Sequence, residues 1–554
     1  VCDTLNGLGV ESRRRWFARP FGPTHSEDQK MSLLSIQDLS LSIHGQSILD
    51  CVSMDIGPGE ICGVIGESGS GKSLTALSVM QLLPEGATCS GSIALSDIEI
   101  LQADEQTLCN IRGRAVGMVF QEPMTALNPV QTIGQQVAET IRIHQRVSRS
   151  DAMVQAAKTL RKCELPQERF PLSRYPHELS GGQRQRVVIA MAIALQPKLL
   201  IADEPTTALD VTTQAEILRL LQRLVAEDGM GLMLITHDLA VVTDIADHII
   251  IMNNGKVVER GQAKALYSNM NHPYTKSLFK ASTHQPERLG QVEDTVLLSV
   301  QNVVRDYPMA RKSLIKKPAP FRALNDVSFN IYKGECLGLV GESGCGKSTL
   351  TRAIMGLDDI QGGVISLNGK DVFADETARE KMQVVFQDPY GSFNPRHKVG
   401  RLVSEPFFRL GRSATNDEIV ESLVSVGLEA EDRNKYIHEF SGGQRQRIAI
   451  ARALIIKPEL IILDEAVSAL DVSIRAQILD LLAKLSTERG LTYLFITHDL
   501  TVVKAISDRV LVMRDGRIIE HGDTKTVFHS PHHDYTKKLI ASAPQIQPVE
   551  GINI

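Results

Sequence analysis

Gly66-Glu67-Ser68-Gly69-Ser70-Gly71-Lys72-Ser73 follows the apolar run Ile61-Cys62-Gly63-Val64-Ile65 and precedes a helix-forming stretch from Leu74 to Leu83. The spacing is G-x-x-x-x-G-K-[ST]. A buried strand, a tight glycine loop and a helix start are the setting in which this pattern cradles phosphate. The glycines let backbone N–H groups turn inward, and the helix N-terminus adds partial positive charge. Lys72 is placed to reach the β- and γ-phosphates of a nucleotide, and Ser73 to hold Mg²⁺ through its hydroxyl. The chain then repeats the pattern as Gly341-Glu342-Ser343-Gly344-Cys345-Gly346-Lys347-Ser348-Thr349, after Leu337-Gly338-Leu339-Val340. A single match could be a glycine-rich turn that binds nothing. Two in the same context are not explained that way.

Outward from each loop the same landmarks recur in the same order. The first half continues with the strand-like Val116 to Phe120 and Gln121-Glu122-Pro123, then Leu179-Ser180-Gly181-Gly182-Gln183-Arg184-Gln185-Arg186 opening a helix. The apolar run Leu199 to Ala202 ends in Asp203-Glu204, followed by Ala208-Leu209-Asp210, a helix over Gln214 to Glu227, and the strand Leu232 to Ile235 ending at Thr236-His237-Asp238. The second half rewrites this as Gln387-Asp388-Pro389, Phe440-Ser441-Gly442-Gly443-Gln444, Asp464-Glu465, Ala469-Leu470-Asp471 and Thr497-His498-Asp499. Ser180 to His237 and Ser441 to His498 are both 57 positions apart, while Gly66 to Gln121 is 55 against 46 for Gly341 to Gln387. Length varies only where surface loops would lie. The pattern is a duplicated domain, not a short solenoid repeat.

Bulk properties set limits. A chain of 554 residues suits two to four domains. A net charge of −5 carries no polyanion-binding signal. Apolar runs such as Leu460 to Leu463 are strand-sized, far short of the roughly 20 residues that cross a membrane. The protein is therefore expected to be soluble by itself while able to dock on a membrane protein. Eight cysteines include no C-x-x-C pair and no cluster with metal spacing, so they read as small core residues in a reducing compartment. Residues 1–30 contain the only tryptophan, Trp16, and no apolar core of a secretory signal. They are expected to be a disordered extension.

The ordered set of phosphate loop, Gln, LSGGQ, Asp-Glu, Ala-Leu-Asp and His resembles the nucleotide-binding domains of ABC transporters. Finer marks are Phe-Gln-(Glu/Asp)-Pro-x-x-x-x-Asn-Pro in each half, with His272-Pro273-Tyr274-Thr275 and His533-Asp534-Tyr535-Thr536 near each half's end. They look like the ATPases of dipeptide, oligopeptide and nickel importers. Fusion of two such units is similar to the peptide importers of the microcin C class (Yej type) and to glutathione importers. The resemblance implies an α/β fold of two tandem P-loop domains, each with a RecA-like core, an antiparallel β region and a helical signature subdomain. It sets boundaries of 31–281 and 296–540, a linker over 282–295 and a tail over 541–554. Departures are Ala466 after Glu465, where proline is usual, and the lack of a Cys-rich stretch after Tyr274.

The resemblance also implies roles. Each ATP would lie between one phosphate loop and the other half's signature. Site one would join Lys72, Ser73, Gln121, Asp203, Glu204 and His237 to Ser441, Gly442, Gly443 and Gln444. Site two would join Lys347, Ser348, Gln387, Asp464, Glu465 and His498 to Ser180, Gly181, Gly182 and Gln183. Asp203 and Asp464 would hold Mg²⁺ with Ser73, Ser348, Gln121 and Gln387, and Glu204 and Glu465 would act as general bases on water. Tyr307 suits adenine stacking, whereas Ile43-His44 stands at that place in the first half. Stacking is worth about 1–3 kcal/mol, so the first site should bind adenine roughly tenfold more weakly unless His44 substitutes. Expected partners are two integral-membrane permease subunits and, indirectly, an extracytoplasmic peptide-binding protein, at the cytoplasmic face of a bacterial inner membrane. No nucleic acid is expected. The alternatives are a fused importer ATPase for glutathione, nickel or another small solute, and a soluble tandem ATPase acting on ribosome or DNA. The basic insert holding Arg311, Lys312, Lys316 and Lys317 reads as a solvated loop, and Arg-Gln-Arg after each signature as partners for nearby carboxylates or phosphate.

Overall fold

Strands β1 (Leu34–Ile43) and β2 (Gln46–Ile56) intersperse buried apolar with exposed residues, whereas β3 (Ile61–Ile65) is buried at every position. The first pattern belongs to a sheet with one face in water, the second to a sheet covered on both faces. The computed structural model describes residues 32–544 except 122, 208, 288, 289, 291, 310–318, 389, 390 and 469. With β4 (Ala87–Leu95) and β5 (Ile98–Glu99), the first two strands form an antiparallel sheet in the order β2-β1-β4-β5. A central sheet adds β6 (Val116–Val119), β7 (Leu199–Asp203), β8 (Gly231–Thr236), β9 (His248–Asn253) and β10 (Lys256–Gln262) to β3, in the order β10-β9-β3-β8-β7-β6. Only β10 runs antiparallel to its neighbour.

Neighbouring residues of one strand enter different cores, as the period of two requires. Cys62, Val64, Leu199, Ile201 and Met233 pack on the antiparallel sheet and on α1 (Lys72–Met80). Ile61, Ile65, Leu200, Ala202 and Leu232 pack on α2 (Ile133–His144), α3 (Arg149–Lys162), α4 (Gly181–Ile193) and α5 (Val211–Asp228). The first half ends in α6 (Pro273–Ser282).

The second half repeats both sheets. Strands β11 (Val296–Tyr307), β12 (Phe321–Tyr332), β14 (Gly362–Leu367) and β15 (Lys370–Asp371) are ordered β12-β11-β14-β15. Strands β13 (Cys336–Val340), β16 (Met382–Val385), β17 (Leu460–Asp464), β18 (Thr492–Ile496), β19 (Arg509–Arg514) and β20 (Arg517–Asp523) are ordered β16-β17-β18-β13-β19-β20. Its helices include α7 (Lys347–Ile354), α8 (Asn416–Ser425), α9 (Gly442–Leu454), α10 (Val472–Arg489) and α11 (Asp534–Ser542). The duplication legible in motif spacing is thus a duplication of topology.

The halves meet reciprocally. Helix α6 packs on α10, and α11 packs on α5. Val472, the first residue of α10, is buried in the apolar cluster of the first half, and His284 Nε2 lies 2.6 Å from Asp480 Oδ1. The expected extension over 1–30, the basic insert from Arg311 to Lys317 and residues 545–554 of the expected tail lie outside the described residues.

Candidate functional site

The parallel strands bring their carboxyl ends to one edge, where open α/β sheets place their ligands. There β3 runs into the first phosphate loop, β7 ends at Asp203, β8 leads to His237, and Gln121 follows β6. Gly69 and Gly71 hold φ of +81° and +99°, a left-handed backbone that turns successive amides toward one side. No side chain caps α1, so its first N–H groups remain open to an anion. The second loop repeats this at Gly344 and Gly346, with α7 equally uncapped.

Lys72 is buried, and its Nζ donates to the carbonyls of Gly66 at 2.7 Å and Glu67 at 2.9 Å. Burial lowers its pKa, while Glu204, Asp471, Asp203 and Glu67 pull it upward. Lys347 repeats the bonds to Gly341 at 2.7 Å and Glu342 at 3.0 Å.

The carboxylates beside the loops differ in environment. Burial raises the Asp203 pKa, and its Oδ1 is buried without a hydrogen-bond partner. Burial and the Glu465 charge push Asp464 up to about 6. An under-compensated carboxylate beside a phosphate loop and its Ser73 or Ser348 hydroxyl is a hard-oxygen set that suits Mg²⁺. Glu204 and Glu465 both adopt a left-handed backbone, at φ +48° and +52°, and their amides donate to Ile235 and Ile496 of the neighbouring strand. Non-glycine residues in this region cost on the order of 1–3 kcal/mol and cluster at functional sites. Glu204 is held by His237 Nδ1 at 3.2 Å, Gln121 Nε2 at 3.0 Å and Thr207 Oγ1 at 2.9 Å. Burial pushes its carboxyl up, but the His237 contact and charge, with Thr207 and Lys72, bring it down to about 2. His237 is correspondingly raised, because Glu204 outweighs its burial. Glu465 meets His498 Nδ1 at 3.3 Å, and that contact outweighs its burial to lower its pKa. The hydroxyl at the place of Thr207, Ser468, goes instead to the Glu465 backbone carbonyl.

The signatures sit at the starts of α4 and α9. Ser180 and Gln183 form a capping box, as do Ser441 and Gln444. A Cβ on Gly182 would meet Thr213 Cγ2 at 2.2 Å, and one on Gly443 would meet Ile474 Cγ2 at 2.5 Å, so close helix packing requires these two glycines. At Gly442 a Cβ would meet nothing within 4 Å, and at Gly181 only Leu209 at 3.5 Å. Packing does not account for that pair, and both lie in the first turn of their helices, clear of close neighbours.

Two sites of contact were not foreseen in the residue pattern. Asp471 Oδ1 accepts from Ser68, both N–H at 2.9 Å and Oγ at 3.0 Å, so the second half's Ala-Leu-Asp reaches the first half's phosphate loop. Tyr274 and Tyr535 Oη accept the N–H groups of Glu67 and Glu342 at 3.1 and 3.0 Å. The recurring Ala-Leu-Asp and the recurring C-terminal tyrosine are the only signals of these contacts in the residue pattern. Tyr307 donates to Asp358 Oδ2 at 2.7 Å, and the Arg305 guanidinium lies 4.6 Å from its ring centroid. His44 is exposed at φ +49°. Of the arginines after the signatures, Arg186 pairs with Glu164 and Glu216, as expected. Arg184, Arg445 and Arg447 donate to the carbonyls of Pro176, Ile437 and Val426 in the preceding turns and helix end.

A cavity of 830 Å³ in the second half runs from Ser348, Gln387, Asp464 and Glu465 out to Phe386, Pro406 and Leu410. Among the described residues no helix is long and apolar enough to cross a membrane, and no cluster of His, Cys, Asp and Glu could hold a metal by itself. Burial pushes the Cys62 thiol up to about 12, as suits a core residue.

Residues 49–207 and 324–468 match the ABC transporter family, and residues 258–296 and 519–553 match the oligopeptide/dipeptide transporter C-terminal region. The chain is 42% identical to the glutathione import ATP-binding protein GsiA of Salmonella choleraesuis, over 95% of this chain and 92% of that protein. It is also 42% identical to the peptidoglycan transport ATP-binding protein YejF of Agrobacterium fabrum, over 95% of this chain and 98% of that protein. A solved dimeric ATP-binding cassette in a post-hydrolysis state with ADP and Pi is 30% identical over 41% of this chain and 99% of that one, with a TM-score of 0.37.

Proposed function

The chain belongs to the ABC transporter family, as an importer ATPase of the oligopeptide/dipeptide type, and we propose that it energises uptake of peptides or peptide-like solutes through two composite Mg-ATP sites. In this reading each phosphate loop holds one ATP, with Lys72 or Lys347 moving from its carbonyl partners onto the phosphates. Ser441 to Gln444 cover the first nucleotide, and Ser180 to Gln183 the second. The outward, unpacked Gly442 and Gly181 leave room for a γ-phosphate at the helix N-termini. The observation that supports the reading is the Asp471–Ser68 contact, by which a residue of the second half touches the first phosphate loop.

In this reading His237 and His498 hold Glu204 and Glu465 as carboxylates, the form that orients the attacking water and can serve as its general base, though with lowered basicity. When bound, Mg²⁺ supplies charge neutralisation on the phosphates, with Ser73, Asp203 and Gln121 as its holders at one site and Ser348, Asp464 and Gln387 at the other. In the second half the cavity joins Gln387 and Glu465 to an apolar rim. That groove would seat a cytoplasmic segment of a permease subunit and pass nucleotide state to it. The chain would thus work as a peripheral subunit on the inner face of the membrane, served indirectly by an extracytoplasmic binding protein. The C-terminal region match favours this over a soluble ribosome or DNA ATPase.

Two measurements test the reading. In E204Q/E465Q, MgATP binding should persist while turnover falls by about 10²–10⁴-fold. Wild-type turnover in that variant would overturn the assignment. Reconstitution with the permeases and binding protein should give ATPase stimulated by peptide, glutathione or both, which decides the cargo.

A further inference from the structure

The marks His272-Pro273-Tyr274-Thr275 and His533-Asp534-Tyr535-Thr536 have no place in that hydrolytic scheme, yet both are tied down in the same way. His272 Nδ1 accepts the Tyr274 N–H at 3.2 Å and His533 Nδ1 accepts the Tyr535 N–H at 3.0 Å, so the histidines cap α6 and α11. Glu259 in β10 accepts the N–H groups of Asn271 at 2.7 Å and His272 at 3.2 Å. Glu520 in β20 does the same for His532 at 2.7 Å and His533 at 3.1 Å. Each helix start is therefore anchored to the sheet edge, with its tyrosine carried under a phosphate loop.

The phenol contacts a consequential group. The N–H of Glu67 and the C=O of Gly66 belong to one planar peptide unit. Tyr274 Oη takes its N–H at 3.1 Å, while Lys72 Nζ takes its C=O at 2.7 Å. The second half gives Tyr535 Oη to Glu342 N–H at 3.0 Å and Lys347 Nζ to Gly341 C=O at 2.7 Å. Plain ring packing would not need the oxygen, since phenylalanine fills the same space. The ring surroundings also differ. Arg514 lies 4.9 Å from the Tyr535 centroid, and its counterpart in the first half is Asn253. What the halves share is the hydrogen bond.

We propose that Tyr274 and Tyr535 are positioning residues for ATP turnover, each fixing the tilt of the peptide that opens its phosphate loop and thereby the place of Lys72 or Lys347. Without the phenol oxygen this peptide can turn its carbonyl into the phosphate space, where it holds the lysine back from the phosphates. The inference rests on the reading of both loops as ATP sites.

The test uses Y274F, Y535F and the double variant in the full chain, which keep the rings and remove only the phenol hydroxyl. Melting is measured without nucleotide and with MgATP, alongside KM and kcat. The expected result is a KM for ATP raised roughly three- to tenfold per substituted site, the span of one net hydrogen bond. It should come with a reduced MgATP-induced melting shift and a smaller change in kcat. Unchanged KM and MgATP shift would overturn the proposal, whether or not the nucleotide-free melting temperature falls, because a packing role alone lowers only the latter. A wild-type chain with no MgATP shift would remove the ATP-site assignment itself, and the clamp with it.

Discussion

Asp471 spans the boundary between the halves to hold both the amide and the hydroxyl of Ser68, a residue 403 positions earlier, and in doing so leaves α10 without a side-chain cap. Its counterpart Asp210 accepts the Thr213 N–H at 3.0 Å to cap α5. The same Ala-Leu-Asp text therefore does two different jobs in this structure.

The difference predicts distinct phenotypes. D210A removes a helix cap worth about 1 kcal/mol and should lower the melting temperature of the free chain. D471A breaks two bonds between the halves, so it should reduce hydrolysis at site one by more than any fall in melting temperature accounts for. Turnover of D471A/E465Q against E465Q alone isolates that site, and equal rates would show the cross-half contact to be idle.

A second inequality concerns the bases. Thr207 Oγ1 donates to the Glu204 carboxylate, whereas Ser468 Oγ donates to a backbone carbonyl. Loss of a hydrogen bond to a charged group costs about 1.5–3 kcal/mol, so T207V should slow site one by tenfold or more. S468A should leave site two close to its starting rate. Single-turnover rates in the E465Q and E204Q backgrounds give the comparison.

The Glu204–His237 pair sets a pH window. The Glu204 carboxyl falls from 4.5 to about 2 on folding. Its contribution to stability is thus complete above the unfolded value and lost as pH drops from 4.5 toward 2. The folded His237 pKa lies above 6.5, so its share is complete below 6.5 and lost as pH rises through the raised value. H237A should therefore show its largest melting deficit between about pH 5 and 6.5. A deficit that grew steadily from pH 6 to 9 would refute the pairing.

Much of the fold lay open in the residue pattern, because apolar runs of four or five residues ahead of Gly66, Asp203 and Thr236 suit buried parallel strands feeding one edge. Both phosphate loops, both Asp-Glu pairs and both histidines assemble where that edge puts them. The hidden part was of two kinds. Backbone state was one: nothing in Asp203-Glu204-Pro205 or Asp464-Glu465-Ala466 announces the left-handed glutamates, which the amide bonds to Ile235 and Ile496 impose. Long-range pairing was the other. Asp210 and Asp471 share a local sequence, and only the docking of the halves separates their partners. Arg447 likewise follows its signature as Arg186 does, but finds the Val426 carbonyl where Arg186 finds two glutamates.

The purine ends of the two sites should also differ. Tyr307 has its hydroxyl tied to Asp358, so its ring is held in place before any ligand arrives. The first half offers His44 on a turn between β1 and β2, exposed and next to Gly86. Stacking on a ring is worth about 1–3 kcal/mol. Y307A should accordingly weaken nucleotide binding at site two by roughly tenfold. Y307F, which keeps the ring and loses only the Asp358 bond, should bind nearly as wild type does. H44Y should tighten site one by a similar factor, because it supplies the larger π-face at the place the first half lacks one. Titration of a fluorescent ATP analogue against each variant separates the two sites, one tight and one weak in the wild-type chain. If Y307A and wild type gave superimposable isotherms, the base would have to be held elsewhere, and the inequality between the sites would rest on Asp471 and Thr207 alone.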